Sequence, residues 1–88
     1  MIDMGTSTAL VTGASRGLGA AFAHALALRG ANLVLVARSR VPLGDLARQL
    51  AHRYGVRCIS MPMDLAAPDA VQRLVAALDA RQITIDFW

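Results

Sequence analysis

Short apolar runs alternate with longer segments of helical periodicity along nearly the whole of this 88-residue chain. The apolar runs cover residues 8–12, 32–37 and 57–61, and residues 83–88 again have a strand-forming composition. Between these runs, apolar residues recur at spacings of three and four, which is typical of one helix face. The order βαβαβαβ predicts an α/β fold in which right-handed crossovers join a parallel sheet that has helices on both faces.

The helical segments also predict which side chains pack against this sheet. Gly30 and Gly55 follow the first two helices, at positions where a left-handed residue often ends a helix. Pro42 fits the first turn of the second helix, where its missing N–H does no harm. The expected inward-facing residues are Leu18, Phe22, Ala25 and Leu26 in the first helix, Leu43, Leu46, Ala47, Leu50, Ala51 and Tyr54 in the second, and Val71, Leu74, Val75 and Leu78 in the third.

The composition is that of one small globular domain. It is 56% hydrophobic and 17% charged, which argues against disorder. No basic segment precedes an apolar run at the N-terminus, and the longest uncharged helical run, residues 17–28, is too short to cross a bilayer. We therefore expect a soluble, cytoplasmic protein with no membrane partner. The single cysteine, Cys58, excludes an internal disulfide and is expected to be a small buried hydrophobic residue.

The net charge of +3 comes from nine arginines and six aspartates, since the chain has no lysine and no glutamate. The arginines are spread along the sequence and form no dense run, so we expect no nucleic-acid partner. His24 and His52 lack the clustered partners that a metal site would need. We expect both histidines to be solvated on helix faces, and no metal to bind.

Residues 12–19 read Thr-Gly-Ala-Ser-Arg-Gly-Leu-Gly and lie between the first strand and the first helix. A tight strand-to-helix turn needs the backbone freedom of glycine, and a bound pyrophosphate needs main chain without Cβ atoms in its way. The N–H groups at the start of the helix then hold the anion. No Gly-Lys-Ser/Thr follows, which argues against a Walker-type phosphate loop. The position predicts a dinucleotide site, and a glycine turn without a ligand is the alternative.

The G-x-x-x-G-x-G spacing, preceded by threonine, resembles the signature turn of the short-chain dehydrogenase/reductase family. The resemblance covers essentially the whole chain but only the first part of a typical member. It implies a partial Rossmann fold whose four-stranded sheet has the order 3-2-1-4, and it makes residues 1–88 the N-terminal cofactor-binding part of that domain. The positions that match cofactor-binding residues of the family are Gly13, Ser15, Arg16, Gly17, Leu18, Gly19, Arg38, Asp64 and Leu65.

Two of these positions bear on the choice of cofactor. Arg38 directly follows the second strand, where an acidic residue would select NAD and an arginine accepts the 2′-phosphate of NADP. Ala37 places no carboxylate beside that phosphate, and Arg16 is the other position at which NADP-preferring relatives carry a basic residue. We therefore expect NADP(H) to be preferred over NAD(H). The resemblance further pairs Asp64 with the exocyclic amine of adenine, although an isolated aspartate is more often a turn or cap residue.

The catalytic Ser, Tyr and Lys of the family have no counterpart in this sequence. The only tyrosine, Tyr54, is followed four positions later by Cys58, and the chain has no lysine. The matching positions are expected beyond Trp88. The resemblance thus implies the NADP(H)-binding segment of an oxidoreductase that reduces carbonyls or oxidises alcohols, with no activity of its own. The alternative is a standalone nucleotide-binding or interaction module that performs no chemistry.

Residues 85–88 resemble the lead-in to the fourth strand of the family, and Trp88 replaces the smaller aliphatic residue that is usual there. With no fifth strand beside it, this fourth strand would be an uncovered edge, and the faces of the sheet would lack some of their helices. We therefore expect exposed apolar surface, marginal stability and a tendency to self-associate.

Overall fold

A computed structural model of the chain describes residues 7–86. The three strands run parallel in the order β1-β2-β3, so that β2 is central. The predicted α/β class with a parallel sheet is therefore confirmed. In chain order the elements are β1 (Thr8–Thr12), α1 (Gly17–Leu28), β2 (Asn32–Ala37), α2 (Arg40–Tyr54), β3 (Cys58–Pro62) and α3 (Ala70–Ala80).

The central strand is buried on both faces because its side chains alternate between two cores. Leu33 and Leu35 pack in the larger core, which α1 and α2 complete. Val34 and Val36 point the opposite way and pack in a smaller core that α3 completes. Helices therefore cover both faces of the sheet, as the sequence predicts.

The second helix, α2, packs through the face that its periodicity predicts. Its last residue, Tyr54, is partly buried against the larger core. Gly55 then ends the helix at φ 70°, and its N–H donates to the carbonyl of Ala51 over 3.0 Å. That left-handed backbone conformation favours glycine, which explains the residue at this position. The fully packed side chains of α2 are Leu43, Leu46, Ala47 and Leu50.

The first helix, α1, packs through a different face from the predicted one. Its buried residues are Ala23 and Ala27, whereas Leu18 and Phe22 are 72% and 56% exposed. Of the predicted residues, Leu26 packs partly buried against the larger core, and the prediction was wrong for Leu18, Phe22 and the exposed Ala25. Leu18, Phe22 and Leu26 line an apolar groove along β1, where no strand pairs with β1 in residues 7–86. We call this the β1 groove.

The third helix, α3, follows its prediction only in part. Leu74 and Leu78 are buried against the sheet, as expected, and Ala70 joins them. Val71 and Val75 remain 69% and 42% exposed. Within the described residues α3 is the only helix on this face of the sheet, so the flanks of its apolar stripe have no neighbouring helix to contact.

The predicted fourth strand is not formed within residues 7–86, and Phe87 and Trp88 lie outside the described residues. The segment after α3 nevertheless lies beside β1. The N–H of Asp86 donates to the carbonyl of Thr8 over 2.8 Å, and the N–H of Thr8 donates to the Asp86 carboxylate over 2.8 Å. One backbone hydrogen bond does not make a ladder, so the described sheet has three strands. The contact is nonetheless at the edge of β1 to which the order 3-2-1-4 assigns a fourth strand.

His24 was predicted to be solvated, and the structure corrects this. The side chain is half-buried, and its Nδ1 lies 3.4 Å from the hydroxyl of Tyr54. The two rings meet edge to face with centroids 6.1 Å apart. The guanidinium carbon of Arg53 lies 5.4 Å from the centroid of the Tyr54 ring. Tyr54 therefore connects α1 to α2, whereas His52 is exposed, as expected.

Candidate cofactor-binding site

The glycine turn between β1 and α1 lies at the carboxyl end of the sheet. Gly13 and Gly17 have φ values of 62° and 63°, in the left-handed region that favours glycine. A Cβ atom on either residue would meet nothing within 4 Å. The backbone conformation, rather than crowding by the protein, therefore requires glycine at both positions. The same open space leaves the main chain of the turn accessible to a ligand.

Gly19 is required for a different reason. A Cβ atom on this residue would overlap the backbone carbonyl of Gly13 and would lie 3.1 Å from the carbonyl oxygen of Thr12. The first turn of α1 therefore rests directly on the strand-to-helix turn. The N–H of Ala14 donates to the carbonyl of Val36 over 3.3 Å, which fixes the turn to the end of β2.

The amino end of α1 has no side-chain cap. Arg16 occupies the cap position in an extended conformation, with φ −164° and ψ 172°, and the helix begins at Gly17. The first N–H groups of a helix have no partner inside the helix and need acceptors from elsewhere. Together with the partial positive charge at this end of the helix, they form a site for an anionic group.

The turn, the end of β2 and the loop after β3 line an open crevice of about 390 Å³. We call this the cofactor crevice. Residues that are far apart in sequence meet here because the carboxyl ends of adjacent parallel strands lie at one edge of the sheet. Of the residues predicted to bind cofactor, those that line the crevice are Gly13, Ser15, Arg16, Arg38, Asp64 and Leu65.

Gly17, Leu18 and Gly19 do not line the cofactor crevice. The side chain of Leu18 instead lines the β1 groove, together with Gly19. These three residues can therefore contact a ligand in the crevice only through their backbone at the start of α1. The prediction of Leu18 as a contact residue thus applies only to its main chain.

The charged side chains of the crevice are accessible. Arg16 and Arg38 are exposed, and neither forms an ion pair with another residue of the described chain. The Asp64 Oδ1 accepts the N–H of Ala66 over 2.9 Å, so this aspartate does form a local turn. A carboxylate can accept several hydrogen bonds, and the turn therefore leaves acceptor capacity for a ligand.

Sequence reasoning missed several residues of this region. Ser39, Met63 and Ala66 also line the cofactor crevice, and Arg40 and Arg73 line a second cavity that adjoins it. Their positions depend on how the loop after β3 folds over the end of β2. No motif or periodicity in the sequence marks them.

The crevice combines a helix amino end without a side-chain cap, two guanidinium groups that form no ion pair with residues 7–86, and one carboxylate. This set of groups suits a ligand with phosphates and an amino group, and the open glycine backbone gives a diphosphate room to approach. Within residues 7–86, no three His, Cys, Asp or Glu side chains gather into a group that could hold a metal ion. The same residues contain no helix that is both long and apolar enough to cross a membrane.

Comparison with known proteins shows which family this chain resembles. The family model of the short chain dehydrogenases matches residues 7–87. A very-long-chain 3-oxoacyl-CoA reductase from Aspergillus clavatus is 46% identical over 63 residues, which is 72% of this chain and 18% of that protein. Sepiapterin reductase from Xenopus tropicalis is 39% identical over 84 residues, which is 91% of this chain and 32% of that protein.

The solved structures agree with the sequence matches. The L-sorbose reductase of Gluconobacter frateurii, solved in complex with NADPH and L-sorbose, superimposes with a TM-score of 0.86 and 38% sequence identity. The match covers 97% of this chain and 33% of that enzyme. The chain therefore spans a third or less of the length of each of these three relatives.

Proposed function

The chain belongs to the short-chain dehydrogenase family, and we propose that it is the NADP(H)-binding segment of an oxidoreductase. Residues 1–88 then form the N-terminal part of a Rossmann domain whose catalytic groups are supplied from outside this sequence. The observation that carries the proposal is the meeting of the glycine turn with Arg38 and Asp64 in one crevice at the carboxyl edge of the sheet.

The diphosphate of the cofactor is assigned to the glycine turn. Gly13 and Gly17 keep side chains away from its path, and the uncapped amino end of α1 offers N–H donors to its oxygens. Ser15 lines the crevice beside them and adds a hydroxyl donor. Anion binding at a helix amino end is favoured by both the free donors and the helix dipole.

The adenosine end of the cofactor is assigned to the loops after β2 and β3. Asp64 would accept the exocyclic amine of adenine, and Leu65 lies beside it as an apolar contact. Arg16 and Arg38 would bind the 2′-phosphate, and Ala37 introduces no opposing carboxylate. Hydrogen bonds to charged groups contribute about 1.5–3 kcal/mol each, which is enough to favour NADP(H) over NAD(H) by about tenfold or more.

The reaction class is proposed from family membership. Bound NADP(H) supplies or accepts the hydride in the interconversion of a carbonyl and an alcohol. The residues of this chain hold and orient the cofactor, and we assign none of them to proton transfer. Tyr54 is unsuited to that role because it packs between α1 and α2, away from the cofactor crevice.

Titration of the 88-residue chain with NADPH and with NADH tests this proposal. The wild-type chain is expected to bind NADPH at least about tenfold more tightly than NADH, and Arg38→Gln is expected to remove most of that preference. Arg48→Gln is the matched control because it removes the same charge from an exposed helix residue outside the crevice. Equal affinities for the two cofactors, unchanged in Arg38→Gln, would refute the NADP(H) assignment, and no binding of either cofactor would refute the function.

A further inference from the structure

A second cavity adjoins the cofactor crevice at its adenosine end. It is open to solvent, has a volume of about 380 Å³, and shares Arg38, Met63 and Asp64 with the crevice. Arg40 and Arg73 complete its charged lining. We call it the basic cavity, because three of its side chains are arginines and only one is an acid.

The three arginines of the basic cavity come from three separate parts of the fold. Arg38 follows β2, Arg40 is the first residue of α2, and Arg73 lies near the start of α3. Among the described residues, Arg38 and Arg40 form no ion pair, and Arg73 has one loose pair, at 3.7 Å, with Asp69, the residue that precedes α3. Like charges that share a small space repel one another, and a bound anion relieves that repulsion.

The position of this cavity suggests what the anion is. Arg38 belongs to both spaces, so a phosphate bound by Arg38 from the cofactor crevice stands at the boundary of the basic cavity. Arg40 and Arg73 have long, exposed side chains that can reach toward such a group. Guanidinium groups bind phosphate oxygens in a forked geometry, and each added group makes the site more selective for a dianion.

Building on the proposed function, we propose that Arg73, together with Arg40, is a further specificity-determining residue of the 2′-phosphate subsite. In this arrangement α3 supplies a guanidinium that distinguishes NADP(H) from NAD(H), in addition to the one at the end of β2. The contribution of Arg40 and Arg73 is electrostatic, and it offsets the charge that Asp64 brings to the same cavity.

The test uses two fragments of the cofactor that differ only at the 2′ position: adenosine 2′,5′-bisphosphate and adenosine 5′-monophosphate. Arg73→Gln is expected to weaken binding of the bisphosphate by about fivefold while binding of the monophosphate stays unchanged. Arg73→Lys, which keeps the charge, is expected to recover part of this loss. The dependence of bisphosphate binding on salt concentration is expected to become shallower in Arg73→Gln.

Arg48→Gln is again the matched control, because Arg48, like Arg73, is an exposed helix arginine that pairs with an aspartate a few residues before it. The role of Arg73 would be overturned if Arg73→Gln weakened binding of both fragments equally, or if it weakened binding of the bisphosphate no more than Arg48→Gln does. If Arg38→Gln abolishes the preference for the bisphosphate and Arg73→Gln does not change it, this inference fails while the proposed function stands. If the wild-type chain binds neither fragment nor NADPH, the proposed function fails and this inference fails with it.

Discussion

The backbone carbonyl of Gly13 occupies the space that a Cβ atom on Gly19 would need. This contact brings the first turn of α1 against the end of β1, and it directs the amino end of the helix toward the cofactor crevice. The third glycine of the turn is therefore a packing requirement, whereas the first two are requirements of backbone conformation.

Gly19→Ala is accordingly expected to destabilise the chain. The added methyl group can be accommodated only if α1 moves away from the turn, and overpacking of this kind costs about 1–3 kcal/mol. Urea denaturation followed by circular dichroism measures the change in the free energy of unfolding.

Gly44→Ala is the matched control for that substitution. Gly44 lies inside α2, where a Cβ atom would meet only the end of the Arg48 side chain at 3.6 Å. Replacing glycine by alanine inside a helix stabilises it by about 0.5–1 kcal/mol. The two Gly→Ala changes should thus have opposite signs, and a neutral Gly19→Ala would contradict the packing described for the turn.

The β1 groove leads us to expect that the chain self-associates. Leu18 and Phe22 are exposed apolar side chains beside a strand edge, and such surfaces bind to one another in water. Phe22→Gln is expected to lower the average mass measured by sedimentation equilibrium at high protein concentration. Leu28→Gln is the control, since Leu28 is 70% exposed but lies outside the groove. Equal effects of the two variants, or a monomeric wild type, would rule out association through the groove.

The thiol of Cys58 is expected to be unreactive in the folded chain. Burial at the start of β3 raises the pKa of Cys58 from 9.0 to about 11, because the thiolate is poorly solvated there. Labelling with a thiol reagent at pH 8 should therefore be much slower in the folded chain than in urea. Equal labelling rates in the two conditions would show that the thiol is accessible and that its pKa is not raised.

The same pKa shift makes stability depend on pH in the alkaline range. The unfolded chain loses the Cys58 proton near pH 9, whereas the folded chain keeps it until about pH 11. The contribution of the protonated Cys58 thiol to the free energy of unfolding is therefore fully present below pH 9 and is lost as the pH rises toward 11. In Cys58→Ala, the free energy of unfolding should fall less steeply with pH across that window. A slope equal to that of the wild type would contradict the pKa shift.

Much of the fold could be predicted because its signals are local. The continuous apolar run of β2 indicates a strand whose side chains pack in cores on both faces of the sheet. Gly55 indicates where α2 ends. The packing face of α1 could not be predicted from periodicity. That helix carries two apolar stripes, a buried one of small alanines and an exposed one of larger residues that includes Phe22, and their spacing alone does not show which of them faces the sheet.

The meeting of the predicted residues could be foreseen to a similar extent. The glycine turn and Arg38 directly follow β1 and β2, and Asp64 lies two residues after β3, so the parallel sheet was sufficient to bring them together. Arg73 was not predictable in this way, because its place near the cofactor crevice depends on the path of the loop between β3 and α3. That path is a tertiary property which no short segment of the sequence encodes.

The proposed function requires that the turn opening α1 holds a diphosphate against its main chain. The most direct test is an NMR titration of the 15N-labelled 88-residue chain with NADPH, in which the backbone amide signals are followed residue by residue. We expect the largest shifts at the amides of residues 13–19, with smaller shifts at Arg38 and Asp64. Shifts confined to the β1 groove, or spectra that NADPH leaves unchanged, would contradict this expectation.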